Sequence, residues 1–114
     1  MDIAFLLDSS ASIGEHGYQK MKDFVKAVAN NFDIGPSGTC AGVIIYGSSA
    51  TTAIRFPDAA SNAIFNAAVD ALPYVRGETR IDKALQLAYY ELLTHRGGAR
   101  AGVAKVVIVL TDGR

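Results

Sequence analysis

Ile3-Ala4-Phe5-Leu6-Leu7 is apolar at every position and stops at Asp8. A strand with one wet face alternates apolar and polar residues. A continuous run this short instead asks for cover on both faces, the condition of a strand inside a parallel sheet flanked by helices. Val103 to Leu110, with the unbroken run Val106-Val107-Ile108-Val109-Leu110, repeats the pattern near the other end of the chain and also runs into an aspartate, through Thr111-Asp112. Cys40 to Tyr46 is a further strand, rich in Val and Ile.

Helical patterns lie between these runs. Tyr18, Met21, Val25, Val28 and Phe32 recur at three- and four-residue steps and predict an amphipathic helix from about Glu15 to Asn31, followed by a break at Gly35-Pro36-Ser37-Gly38. Gly47-Ser48-Ser49 joins the Cys40 strand to a strand over Thr51 to Phe56, and so short a connection makes the pair a hairpin, hence antiparallel. Pro57-Asp58 is expected to open a second helix bearing Ile64, Phe65, Ala68 and Leu72 and ended by Pro73. Ile81, Ala84, Leu85, Ala88 and Leu92 mark a third helix, stopped by Gly97 and Gly98. The expected fold class is therefore α/β: a Rossmann-like open sandwich with a mainly parallel sheet, an antiparallel strand at its edge and helices on both faces.

The 114 residues amount to one modest domain, and half of them are apolar, so a packed core is within reach. The Val106–Leu110 run has the composition of a central strand, yet the sequence contains nothing after it to cover its far side. Exposed apolar edges are an aggregation hazard that proteins avoid. The expectation is that residues 1–114 form a single domain lacking C-terminal strands and helices. Formal net charge is zero, which removes the electrostatic footprint of a nucleic-acid binder. No apolar run approaches the roughly 20 residues of a membrane helix, so membrane insertion by this segment is not expected. The single cysteine, Cys40, sits in an apolar run and reads as a buried inert thiol. No signal peptide is visible before Ile3.

Open α/β sheets bind ligands beyond the carboxyl ends of their strands. Asp8, Ser10 and Ser12 fall there after the first strand, Asp112 after the last, and Thr79 in the loop before the third helix. Carboxylates and hydroxyls make an all-oxygen set, which suits Mg²⁺ or Mn²⁺; zinc would ask for His or Cys. Each residue also has a plain structural role open to it. Ser12-Ile13-Gly14-Glu15 fits a capping box, Thr79 could cap the third helix, and Asp8 could accept from loop amides. Their joint occurrence at strand ends and helix starts favours the metal. Glu78, beside Thr79, reads as a solvated loop carboxylate, with added negative potential near the ion as the alternative, and Tyr89 and Tyr90 read as helix packing. A nucleophilic Asp8 in a phosphoryl-transfer enzyme is the catalytic rival. Such enzymes commonly place a second aspartate two residues on, where this chain has Ser10, and no nucleotide-binding motif is present. The chain reads as a binding module, not an enzyme.

Phe5-Leu6-Leu7-Asp8-Ser9-Ser10-Ala11-Ser12-Ile13-Gly14 resembles the opening of a von Willebrand factor type A domain. Asp8, Ser10 and Ser12 match the Asp-x-Ser-x-Ser part of that family's metal-ion-dependent adhesion site (MIDAS), Gly77-Glu78-Thr79 resembles its threonine loop, and Val109-Leu110-Thr111-Asp112-Gly113 its closing aspartate motif. Cys40 to Gly47 resembles the family's second strand, so the likeness runs in order along essentially the whole chain. It implies a cation, Mg²⁺ or Mn²⁺, bound directly by the hydroxyls of Ser10, Ser12 and Thr79, with Asp8 and Asp112 acting largely through bound waters. Neutral hydroxyl ligands leave the cation poorly compensated, and in this family an Asp or Glu carboxylate of a partner protein completes the coordination. The family fold also has further strands and helices after the closing aspartate motif. The Asp-Ser-Ser-x-Ser-Ile-Gly form resembles matrix and adhesion proteins, implying an extracellular or cell-surface setting and a protein ligand, such as a matrix protein. Intracellular members of the family, which serve as assembly modules of multiprotein complexes, are the alternative.

Overall fold

The computed structural model describes residues 1–35, 38–78, 80–89 and 103–111. The element order is β1 (Asp2–Asp8), α1 (Gly14–Ala29), β2 (Cys40–Tyr46), β3 (Ala50–Ile54), a 3₁₀ turn (Phe56–Asp58), α2 (Asn62–Asp70), α3 (Ile81–Leu87) and β4 (Lys105–Leu110). The strands form one four-stranded sheet in the order β3-β2-β1-β4. β1 pairs parallel with both β2 and β4, whereas β2 and β3 pair antiparallel with an irregularity between Val43 and Ile44. This is the mixed α/β sandwich that the periodicities imply.

The continuous apolar runs are explained by two cores, one on each face of the sheet. Successive strand residues point to opposite faces. Ile3, Phe5 and Leu7 of β1, with Val43 and Ile45 of β2, pack against Tyr18 and Val25 of α1 and Phe65 and Val69 of α2. Ala4 and Leu6, with Ile44 and Tyr46, pack on the other face against Phe56, Ala84 and Ala88. β1 therefore has no wet face, and all of its residues are buried. Lys26 Nζ of α1 lies 2.6 Å from Asp70 Oδ1 at the end of α2. Lys22 Nζ donates to the Asp70 carbonyl at 3.0 Å, which ties the two helices of that face together.

Several boundaries differ from the sequence expectation: β3, expected over Thr51 to Phe56, runs Ala50–Ile54, and Phe56 starts the 3₁₀ turn instead. Pro57-Asp58 does not open α2. It forms a separate 3₁₀ turn in which Arg55 N–H donates to Asp58 Oδ2 at 3.1 Å, and α2 begins at Asn62 behind an N-cap, Ser61, whose Oγ accepts from Ile64 N–H at 3.2 Å. Leu72 is buried beyond the helix end. Tyr89 is 65% exposed. Cys40 is buried, with its Sγ 3.8 Å from the Gly35 carbonyl oxygen. Pro36, Ser37, Tyr90, Leu92, Gly97 and Gly98 lie outside the described residues.

β4 departs most from its composition. It is paired along one side to β1, but Val106 and Val107 are each 37% exposed and no β4 residue is fully buried. Met21 and Phe24 of α1 and Ile108 and Leu110 of β4 line an open groove of about 420 Å³.

Candidate metal centre

β1 delivers Asp8 to the carboxyl edge of the sheet, beside Tyr46 at the end of β2 and next to Leu110 at the end of β4. The chain there turns away from the sheet. Ser9 N–H donates to the Tyr46 carbonyl at 2.7 Å, and Ser9 Oγ donates to the same oxygen at 3.1 Å. Ser9 is thus a structural peg, and its neighbours are left to face the loop.

Asp8 is fully buried. Its Oδ1 accepts the Ser10 N–H at 2.8 Å and its Oδ2 accepts the Thr111 hydroxyl at 3.0 Å. These are good hydrogen bonds, but a carboxylate offers about four acceptor positions and carries a full charge. Among the described residues no lysine or arginine pairs with it. A buried negative charge without a positive partner is costly.

Ser10, 1% exposed, and Ser12 extend the oxygen set. Their Oγ atoms lie 3.2 Å apart. Two ligand oxygens on neighbouring corners of an octahedron with 2.1 Å bonds would be about 3.0 Å apart. The pair therefore has the spacing of adjacent ligands of a small hard cation. Ser12 does not cap α1: the helix starts at Gly14, its N-cap is Ile13, and no side chain of the cap residue bonds to the helix. The capping-box reading is corrected, and the physical reason is the turn at residues 11–13, which places Ser12 outside the cap position and its hydroxyl against Ser10.

The loop is held from a second direction. Ala11 N–H donates to the Gly77 carbonyl at 3.0 Å, and the Tyr74 hydroxyl donates to the Ser10 carbonyl at 2.7 Å while accepting the Gly14 N–H at 2.9 Å. The segment supplying these contacts is the approach to Thr79. It is pinned in turn to the β2–β3 hairpin, where Glu78 N–H donates to Ser48 Oγ at 3.0 Å and Arg80 N–H to the Gly47 carbonyl at 3.0 Å. Gly77 has φ +134°, and a Cβ there would sit 2.7 Å from Ser48 Oγ and 2.9 Å from Ser48 N, so only glycine fits this approach. Glu78 is exposed, as expected of a solvated loop carboxylate. Thr79 and Asp112 lie outside the described residues.

Tyr74, Ser9 and Thr111 were not singled out as site residues by sequence. Thr111 carries a readable signal, a hydroxyl directly before Asp112 at the end of a strand. Tyr74 acts across 60 and 64 residues of chain, which local sequence cannot disclose. No His, Cys, Asp and Glu group of three or more that could hold a metal occurs among the described residues.

The sequence model of the von Willebrand factor type A domain matches residues 2–114. The chain belongs to this family. It is 37% identical over 114 residues to von Willebrand factor A domain-containing protein 2 of Homo sapiens, covering 100% of this chain and 15% of that protein. It is 33% identical over 112 residues to von Willebrand factor A domain-containing protein 1 of Mus musculus, covering 98% of this chain and 27% of the relative. Vitrin of Bos taurus is 29% identical over 113 residues, covering 99% of this chain and 17% of vitrin. The chain thus spans a small part of the length of these relatives. A solved structure, proximal thread matrix protein 1 from the mussel byssus with a zinc-occupied MIDAS motif, superposes with a TM-score of 0.88 at 38% identity, over 98% of this chain and 28% of that one. Domains of the von Willebrand factor type A family are in general protein-interaction and adhesion modules. The metal in that relative's MIDAS motif is zinc.

Proposed function

We propose that this von Willebrand factor type A domain is a divalent-cation-dependent protein-binding module, not an enzyme. The observation that carries the reading is the buried Asp8 carboxylate, without a basic partner among the described residues, beside the converging hydroxyls of Ser10 and Ser12. Ser10, Ser12 and Thr79 would hold the cation through hydroxyls, and Asp8 and Asp112 would act largely through waters. When bound, the cation supplies a poorly compensated positive charge that a partner's Asp or Glu carboxylate can complete.

The protein's own residues do the rest. Asp8 balances the buried charge and fixes the Ser10 amide. Ser9 pegs the loop to β2. The oxygen-only donor set favours Mg²⁺ or Mn²⁺. Zinc in the byssal relative makes zinc the competitor to test. That relative is described as a matrix protein, which supports an extracellular setting and a matrix protein as partner. We further propose that strands and helices beyond β4 complete this domain, supported by the exposed apolar residues Val106 and Val107.

The test is calorimetric titration of Mg²⁺ into the intact protein, its Asp8→Ala variant and its Asp112→Ala variant. Saturable binding by the unaltered protein, lost in both variants while the fold persists by circular dichroism, is the expected result. Unchanged Mg²⁺ affinity in both variants would sink the assignment.

A further inference from the structure

α1 begins without help from its own sequence. Its first N–H groups have no partner within the helix, and the usual remedy is a Ser, Thr, Asp or Asn at the N-cap. Here the N-cap is Ile13, which offers no side-chain acceptor. The Gly14 N–H is met instead by the Tyr74 hydroxyl, at 2.9 Å. The same oxygen donates its proton to the Ser10 carbonyl at 2.7 Å. Ser10 and Gly14 bracket Ser12, so one phenolic oxygen holds both ends of the stretch that carries the two hydroxyls. Gly14 has φ +76°, the sharp left-handed turn by which the loop enters the helix.

The ring that carries this oxygen is itself fixed. Tyr74 stacks on Tyr18 of α1 with centroids 5.1 Å apart, and the Arg76 guanidinium lies 5.6 Å from the Tyr74 centroid on the chain leading to Thr79. Three residues after Tyr74, the Gly77 carbonyl accepts the Ala11 N–H, a further tie between the same segments.

We propose that Tyr74 is a positioning residue of the metal centre: its hydroxyl sets the Ser10–Gly14 turn so that Ser10 Oγ and Ser12 Oγ converge, and it fixes that turn against the segment that leads to Thr79. The proposal rests on the cation-site reading above. Groups that orient metal ligands without touching the metal typically change its affinity by about 10- to 100-fold when removed.

Tyr74→Phe removes the oxygen and keeps the stacked ring. Tyr18→Phe is the matched control, because the Tyr18 hydroxyl is buried without a hydrogen-bond partner among the described residues. Mn²⁺ affinity is measured by calorimetry on the intact protein and both variants, with melting temperature and Gly14 amide exchange followed in the metal-free state. The expected result is a Kd about 10- to 100-fold weaker for Tyr74→Phe, with faster exchange at Gly14 and a cooperative melt retained, against an unchanged Kd for Tyr18→Phe. A purely structural role would weaken the melt without moving the Kd. Equal Mn²⁺ affinity in Tyr74→Phe and the unaltered protein overturns the Tyr74 proposal alone. Absence of Mn²⁺ binding by the unaltered protein overturns it together with the cation-site reading.

Discussion

β1 and β4 are neighbours in the sheet, paired parallel in continuous register, and their sequences are much alike: apolar runs that end in a polar residue at the same edge. Their surroundings differ. β1 is buried at every position between two helix-bearing cores, whereas β4 runs from exposed at Lys105 to half-buried at Leu110. The contrast teaches that an apolar run states what a strand is suited to pack against, while burial depends on the elements that do so. At their carboxyl ends the strands meet, through Thr111 and Asp8. The candidate metal centre therefore joins the best-covered strand of the sheet to the least-covered one.

The largest expected effect belongs to β1. Phe5 is wholly buried and its ring lies 6.1 Å from that of Phe65, so Phe5→Ala should cost about 3–5 kcal/mol in chemical denaturation. A loss below about 1 kcal/mol would break the distinction between the strands. Next comes the metal. Mg²⁺ at a hundred times its Kd should raise the stability of the intact protein by about 2.7 kcal/mol, and Asp8→Ala should abolish that increment. Thr111→Val removes one hydrogen bond to the Asp8 carboxylate and should cost about 1 kcal/mol, with weaker Mg²⁺ binding; no change in either would mean that the β1–β4 contact at the site is incidental. The smallest effect is on the open face. Val107→Thr in the 114-residue segment should change stability by no more than about 0.5 kcal/mol, as for other surface positions. In a longer chain whose added elements cover β4, the same change should cost more than about 1 kcal/mol. Equal small effects in both would contradict the proposed completion of the domain.

Much of this arrangement was legible in the sequence, because period 2, period 3.6 and unbroken apolar runs report directly on which faces are covered. β2 was placed at Cys40–Tyr46 by composition alone, and the hairpin to β3 by the short Gly47-Ser48-Ser49 turn. The α2 start was misplaced because Pro57 is as well suited to a 3₁₀ turn as to a helix start; the cap at Ser61, directly before the apolar positions Ile64 and Phe65, was the better signal. The oxygen set at Asp8, Ser10 and Ser12 was readable from spacing. What spacing could not say was whether Ser12 would be used by the helix. That was decided by the position of the turn, and by a tyrosine on a distant loop that meets the helix start instead.

Paramagnetic Mn²⁺ shows whether Asp8, Ser10 and Ser12 belong to a divalent-cation site, as proposed. Free Mn²⁺ gives a sharp electron paramagnetic resonance spectrum that broadens on binding, so a titration counts bound ions independently of any partner. The expected result is a saturable site in the intact protein that is lost in Asp8→Ala, strongly weakened in Ser12→Ala, and competed by Mg²⁺. Undiminished Mn²⁺ binding in Asp8→Ala would contradict it.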